Sequence, residues 1–260
     1  MKETKNARLT GVRREVKYLV PPNLGKRVRE RLQERVPAKI VDGNASSFRV
    51  SIYLDNRDRT FAMAELKNHQ MSTKMRVREY YLMDGALPLF GEKSFIEVKT
   101  RAGQIVEKSR FAVERGDIAK TLIDGPPPTD EPAVRTARET FEATRNGKTL
   151  EPIFVVHYRR YTLQDKESRI RITCDDMLSY HMPPKGLTTQ SVPICSRRDL
   201  PPPFLVEPNW VVEIKSLGPA PSWIDGILKP DWEIAYSKFG TGVRELDRQK
   251  LLHKETTNSL

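Results

Sequence analysis

Residues 74–101 read KMRVREYYLMDGALPLFGEKSFIEVKTR, and the spacing of charges in this stretch predicts the fold. Charged or aromatic side chains fall on every second residue: Lys74, Arg76, Arg78 and Tyr80, then Glu97, Lys99 and Arg101. Because side chains two residues apart share one face of a β-strand, the pattern predicts two strands with charged faces. A face with so many like charges resists burial in an apolar core, and it suits a wet interior that holds an anion.

A single strand with alternating charges usually has one solvated face. Here the pattern recurs as EVK at 15–17, RIR at 169–171 and EIK at 213–215, each inside a β-branched or aromatic run. Five such strands from distant parts of the chain favour a shared interior lined with cations.

The connections between these strands are mostly short, which favours antiparallel pairing, and the alternation favours closure of the sheet. We therefore predict an α+β fold, mainly antiparallel β, with a closed eight-stranded tunnel barrel and external helices. A barrel of eight strands is just wide enough to hold side chains or one slender ligand.

The predicted domain organisation has one domain over 13–250, with flexible ends at 1–12 and 251–260. A helical insertion is predicted at about 116–150, on the outside of the sheet.

Local signals predict several further elements. We expect a helix over Leu24–Val36 capped by Asn23, and a loop over Asp84–Gly91. A strand is expected over Phe204–Ser216, with Pro208 interrupting it or placing it at an edge.

The net charge of +11 favours polyanionic partners, and the hydrophobic content of 38% fits a barrel with a polar interior. The two cysteines, Cys174 and Cys195, form neither a zinc spacing nor a disulfide framework. The N-terminus lacks an apolar signal core, and no window approaches 18 consecutive apolar residues. These features predict a cytoplasmic protein without a transmembrane segment.

A set of short motifs, in order along the chain, resembles a known family. They are EVKY at 15–18, SIYLD at 51–55, KMRVR at 74–78, EVK at 97–99, HYRRYTLQ at 157–164, RIR at 169–171, EIK at 213–215 and SKF at 237–239. In this set the chain resembles the VTC domain of vacuolar transporter chaperone polyphosphate polymerases. That domain is a branch of the triphosphate tunnel metalloenzymes, also called CYTH-like proteins.

The resemblance implies a metal-dependent phosphotransferase that makes polyphosphate from ATP inside a triphosphate tunnel. The broader family signature on the first strand is E-x-E-x-K, whereas this chain has Arg13 at the first position. The absence of this acidic residue disfavours a hydrolase and favours the VTC branch.

Phosphoryl transfer depends mainly on positioning and on neutralising phosphate charge, which cations provide. Arginine binds phosphate oxygens in bidentate fashion, and lysine acts as a point charge. The predicted catalytic cations are Lys17, Arg76, Arg78, Lys99, Arg160, Arg171 and Lys215. The predicted additional phosphate-binding residues are Tyr53, Lys74, Arg169 and Lys238.

A bridging Mn²⁺ or Mg²⁺ ion would need hard oxygen ligands. The resemblance implies Glu213 as the first metal ligand, because it stands at the position that carries the metal in the family. Glu97 and Glu15 are secondary candidates, and structural salt bridges are the alternative for both.

Two other functions remain open at this point. One is a tripolyphosphatase on the same fold, with Glu15 or Glu97 as general base. The other is a non-catalytic polyphosphate-binding module. Nucleic acid is not expected, because few aromatic residues share the cationic register, whereas single-strand binders interleave the two.

Overall fold

The computed structural model describes residues 13–67, 71–103, 105–165, 167, 169–185, 187 and 197–252. The predicted flexible N-terminus, Cys195, and all but residues 251 and 252 of the predicted C-terminal tail lie outside these residues. No helix in the described ranges has the length and apolar composition that crossing a membrane requires.

The described chain is mainly antiparallel sheet with five α-helices. The strands are β1 Arg13–Val20, β2 Ser46–Asp55, β3 Met71–Asp84, β4 Leu87–Phe90, β5 Lys93–Ala102, β6 Ile105–Glu114, β7 Glu151–Asp165, β8 Ile170–His181, β9 Pro203–Glu207 and β10 Trp210–Leu217. The helices are α1 Pro22–Gln33, α2 Thr60–Lys67, α3 Ile118–Asp124, α4 Pro132–Arg145 and α5 Lys238–Arg248. The α+β class with a mainly antiparallel sheet is therefore confirmed.

The strand count and the closure of the sheet differ from the prediction. The sheet has ten strands rather than eight, in the order β1-β10-β8-β7-β2-β3-β5-β6, and the short strands β4 and β9 pair with β3 and β8. Within the described residues, no hydrogen-bonded ladder joins β1 to β6, so backbone pairing does not close this path. Sequence alternation reports which face a residue occupies and cannot report whether two distant edge strands meet.

Several local predictions need correction. The first helix begins at Pro22, with Pro21 at its N-cap, so Asn23 lies inside the helix. The predicted loop after Asp84 contains β4, which pairs back onto β3 from Leu87 to Phe90. The predicted strand around Pro208 is two strands, β9 and β10, because proline cannot donate a ladder hydrogen bond.

The contacts divide the chain into two compact units. The first unit comprises 1–45, 160–176 and 208–235, and the second comprises 46–159, 177–207 and 236–260.

The first unit has an apolar face and a charged face on the same three strands. Alternate residues of β1, β8 and β10 are buried in one core, including Tyr18, Ile172 and Val212. Val28 and Leu32 of α1 belong to this core as well. The charged residues of these strands therefore lie at the intervening positions, on the opposite face.

The second unit follows the same alternation. Buried apolar residues of β2, β3 and β5 include Ile52, Val77 and Ile96, which are each at most 1% exposed. Helix α4 packs on β6 through Phe141, whose ring meets Phe111 edge-on at 5.7 Å between centroids. The segment of the predicted helical insertion, about 116–150, contains α3 and α4.

Candidate functional site

Four strands of the second unit place most of their charged residues on one sheet face, which we call the basic face. Directly opposite residues of antiparallel strands share a face, and the pairing aligns Tyr53 with Arg76, Arg76 with Glu97, and Glu97 with Arg110. The basic face thus comprises Arg49, Ser51, Tyr53, Lys74, Arg76, Arg78, Tyr80, Phe95, Glu97, Lys99, Arg101, Val106, Lys108 and Arg110.

These fourteen residues include eight cations and one carboxylate, Glu97, and the paired Lys93 and Glu114 continue the same alternation at the end of the β5–β6 ladder. The predicted grouping of Lys74, Arg76, Arg78 and Tyr80 on one side of β3 is confirmed by this pairing. Such an excess of positive charge favours binding of a polyanion.

Glu97 is the centre around which the cations are arranged. Its carboxylate lies 2.5 Å from Arg76, 3.4 Å from Arg78, 3.6 Å from Lys108 and 4.0 Å from Arg110, and the side chain is 2% exposed. Burial would raise the pKa of Glu97, but the charges of Arg76, Arg78 and Lys108 outweigh it and hold the pKa well below its usual range. Glu97 therefore stays ionised and fixes the two arginines of β3.

Tyrosine hydroxyls give these arginines further partners. Arg76 Nη1 donates to the Tyr53 hydroxyl at 3.2 Å, and Arg78 Nη2 donates to the Tyr158 hydroxyl at 3.5 Å. The Tyr158 ring also lies 4.7 Å from Lys238 Nζ. Tyr158, which is fully buried, thus contacts two predicted phosphate-binding cations.

Lys74 and the SKF motif meet at the start of α5. Lys74 Nζ donates to Glu65 at 3.1 Å and to the Ser237 hydroxyl at 2.8 Å. Ser237 is the N-cap of α5 and accepts a hydrogen bond from the Gly240 amide at 3.1 Å. The motif therefore holds Lys74 in place and also begins the helix.

In the first unit, four residues form a second charged group, which we call the carboxylate–lysine row: Glu15, Lys17, Glu213 and Lys215. Glu15 lies 3.0 Å from Lys17 and 3.2 Å from Lys215, and Lys215 also pairs closely with Glu213. Burial would raise the pKa of Glu213, but Lys215 outweighs it and the pKa is lowered. Each carboxylate of the row is therefore in contact with at least one lysine.

The remaining predicted cations of the first unit occupy three different settings. Arg160 makes a bidentate pair with Asp175, at 2.6 and 2.7 Å. Arg171 is exposed and lies opposite Lys215, on the same face as the carboxylate–lysine row. Arg169 lies in the turn before β8, exposed and with a φ of +54°. The prediction that cations of both units line one lumen stays a prediction.

The carboxylates differ in how well they suit a divalent ion. The ionised carboxylate of Glu213 has the chemistry of a hard-oxygen ligand, and its Oε1 is paired with the Lys215 amine. Glu97 is enclosed by four cations, which favours a structural role; its metal role stays a prediction. In the part of the chain that the structure describes, no three His, Cys, Asp or Glu side chains are grouped to hold a metal.

Sequence reasoning missed several residues of these sites. Lys108 and Arg110 lie on the basic face, and their spacing of two on a predicted strand was the available signal. Asp175 and Glu65 carried no comparable signal, because their partners Arg160 and Lys74 lie on other elements.

The fold and these charged faces define the chain as a mainly antiparallel α+β protein with a strongly basic sheet face. The chain belongs to the VTC domain family, whose model matches residues 12–246. This membership supports a phosphate-related function for the chain. No protein of curated function has a sequence that matches it.

Solved structures show only distant similarity. A protein described as a "putative adenylate cyclase" from Bacillus halodurans has 13% identity and a TM-score of 0.44, covering 96% of this chain and 94% of its own. A protein of the same description from Vibrio parahaemolyticus has 11% identity and a TM-score of 0.39, covering 94% and 90%. These TM-scores are below 0.5, and no functional conclusion follows from them.

Proposed function

We propose that this protein is a polyphosphate polymerase, which transfers the γ-phosphoryl group of ATP to a growing polyphosphate chain. The observation that carries the proposal is the basic face, where Arg76 and Arg78 are fixed by Glu97. Membership of the VTC family supports it independently. A cytoplasmic location stays a prediction.

The proposed reaction follows from the positions of these cations. A terminal oxygen of polyphosphate attacks the γ-phosphorus of ATP and forms a new P–O bond. The bond from the γ-phosphorus to its bridging oxygen breaks, and ADP leaves with the electron pair. Arg76 and Arg78 would hold the triphosphate by bidentate hydrogen bonds, while Lys74 and Lys99 add point charges that keep donor and acceptor in line.

The settings of the carboxylates favour synthesis over hydrolysis. A hydrolase would need a carboxylate that accepts a proton from water. The two residues considered for that task, Glu15 and Glu97, are each within 4.0 Å of at least two cations, which disfavour protonation.

We propose Glu213 as the metal ligand. Glu15 is the second candidate, because Lys215 contacts both carboxylates. Glu213 and Glu15 would hold a Mn²⁺ or Mg²⁺ ion, which would neutralise part of the charge on a bound phosphate. Magnesium sites commonly use one or two carboxylates plus substrate phosphates, so two such residues are sufficient.

Product analysis tests the proposed reaction. Purified protein is incubated with ATP and Mn²⁺, with and without a short polyphosphate primer, and polymer, ADP and orthophosphate are resolved. We expect long polymer and one ADP per phosphoryl group transferred. Orthophosphate as the main product, with tripolyphosphate consumed faster than ATP, would show a hydrolase. Salt-sensitive polyphosphate binding without turnover would show a binding module.

The Glu213→Gln variant tests the metal role, since it keeps the shape of the side chain and removes its charge. We expect activity to fall at least about 100-fold, because metal stabilisation of the transferred group amounts to several kcal/mol. Tripolyphosphate binding should persist in part through the cations. Glu34→Gln, an exposed change just after α1, is the matched control. Unchanged turnover of Glu213→Gln at saturating Mn²⁺ would contradict the assignment.

A further inference from the structure

Two arginines and two aromatic residues form a stacked cluster on the basic face. The Arg110 guanidinium carbon lies 3.6 Å from the centroid of the Phe95 ring, and that of Arg49 lies 4.4 Å from the Tyr80 ring. The two rings meet edge-on, with centroids 5.6 Å apart. We call these four residues the guanidinium–aromatic cluster.

The outermost member of this cluster is Arg110. Its side chain is 42% exposed, Glu97 lies 4.0 Å from it, and its guanidinium packs over the rings of Phe95 and Tyr80 at 3.6 and 5.7 Å. An arginine fixed in this way presents a second planar face without a large loss of side-chain entropy on binding. It is therefore a preformed stacking surface.

The cluster lies next to the proposed phosphate-binding arginines. Phe95 is directly opposite Arg78 across the β3–β5 ladder. Tyr80 is two residues further along β3 than Arg78, which corresponds to about 7 Å on the same face. A nucleotide that binds Arg76 and Arg78 through its phosphates would therefore reach the cluster with its base.

We propose that the guanidinium–aromatic cluster binds the base of a purine nucleoside triphosphate, by stacking the base on Arg110. This inference rests on the proposed use of a nucleotide donor. Aromatic rings and arginine planes bind the π-face that all bases share, and a purine offers a larger face than a pyrimidine. The cluster therefore distinguishes a nucleotide donor from a polyphosphate chain, which has no base.

The test compares the affinities of ATP and methyl triphosphate, which has the charged chain without the base. We expect the wild-type protein to bind ATP about tenfold more tightly than methyl triphosphate. Arg110→Lys keeps the positive charge and removes the planar surface, so it should abolish most of this preference. Affinity for methyl triphosphate should change by less than about twofold.

Two further variants make the result specific. Arg101→Lys makes the same change elsewhere on the basic face, and it should keep the preference for ATP. Phe95→Leu keeps apolar bulk and removes the ring under Arg110, so it should reduce the preference as Arg110→Lys does.

The possible outcomes distinguish failure of the base site from failure of the proposed function. Equal wild-type affinities for ATP and methyl triphosphate would overturn the base site and leave the polymerase proposal intact. Equal losses for both ligands in Arg110→Lys would show a charge effect and also overturn the base site. Failure of the wild-type protein to bind any triphosphate would overturn the proposed function, and the base site with it.

Discussion

Glu97 shows how one buried carboxylate can organise several cations. The sequence predicts it as a secondary metal ligand, with a structural salt bridge as the alternative. Its oxygens are surrounded by two arginines of β3 and two cations of β6. Like charges on neighbouring strands repel, so an anion between them stabilises the arrangement that a phosphate would meet.

Glu97→Gln should destabilise the protein by about 3 kcal/mol, because it leaves buried cations without their counter-charge. The folded pKa of Glu97 lies below the unfolded value of about 4.3, so its contribution is complete above that pH and is lost as pH falls. Urea unfolding at pH 7 measures the loss. Glu107→Gln, at an exposed position of β6, should change stability by less than about 0.5 kcal/mol. Similar stabilities of the two variants would contradict the counter-charge role.

His157 should make stability depend on pH below about 6.5, the pKa of an unfolded histidine. Burial, with the nearby Arg197 and His181, lowers the pKa of His157 to about 3, and its Nε2 lies 2.6 Å from the Tyr81 hydroxyl. The unfolded chain takes up a proton near pH 6.5 while the folded protein does not. Stability should therefore fall by about 2–3 kcal/mol between pH 6.5 and 4.5.

Unfolding curves over that pH range measure this effect. His157→Gln can still hydrogen-bond to Tyr81 and does not titrate. The free energy of unfolding of this variant should therefore depend less steeply on pH, by the equivalent of about one bound proton. Burial also lowers the pKa of His181, which leaves a smaller residual slope of the same sign. An unchanged slope would show that His157 is not buried as a neutral side chain.

Among the secondary-structure elements, α1 depends on one close approach. Gly25 lies over the indole ring of Trp210, which in turn stacks on Tyr161 with ring centroids 6.0 Å apart. A Cβ atom at position 25 would lie 2.1 Å from Trp210 Cδ1. The helix therefore uses its interior glycine for contact with the sheet.

Gly25→Ala should destabilise the protein by about 1–2 kcal/mol, although alanine favours helix by about 1 kcal/mol. Urea midpoints measure the net effect. Asn23→Ala, at an exposed position of the same helix, should be neutral or stabilising. Trp210→Leu should reduce the cost of Gly25→Ala in a double-mutant cycle. A stabilising Gly25→Ala variant would exclude the close contact.

For the chain as a whole, the net charge of +11 should make polyanion binding strongly salt-dependent. If Lys74, Arg76, Arg78 and Lys99 each neutralise one phosphate, affinity should fall about 50-fold between 50 and 200 mM salt. Titration with short polyphosphate at several salt concentrations gives the slope. Arg78→Ala should reduce the slope of log affinity against log salt concentration by the amount that one phosphate contact contributes. Lys148, a surface lysine paired with Asp58, serves as the control, and Lys148→Ala should leave the slope unchanged. A slope that Arg78→Ala leaves unchanged would place the binding site elsewhere.

The amino-acid order alone was sufficient for the class of fold, the family and the shared face of the charged residues of β3 and β5. These properties are local, because period-2 alternation fixes the face regardless of the partner strand. Only the tertiary structure determined the partner of each charge. Glu97 pairs with Lys108 and Arg110, Arg160 pairs with Asp175, and Lys74 pairs with Glu65. It also set the ten-strand order and left the path unclosed by backbone hydrogen bonds in the described residues. Such properties depend on strand register and on contacts between different elements, which the spacing of residues within one strand does not encode.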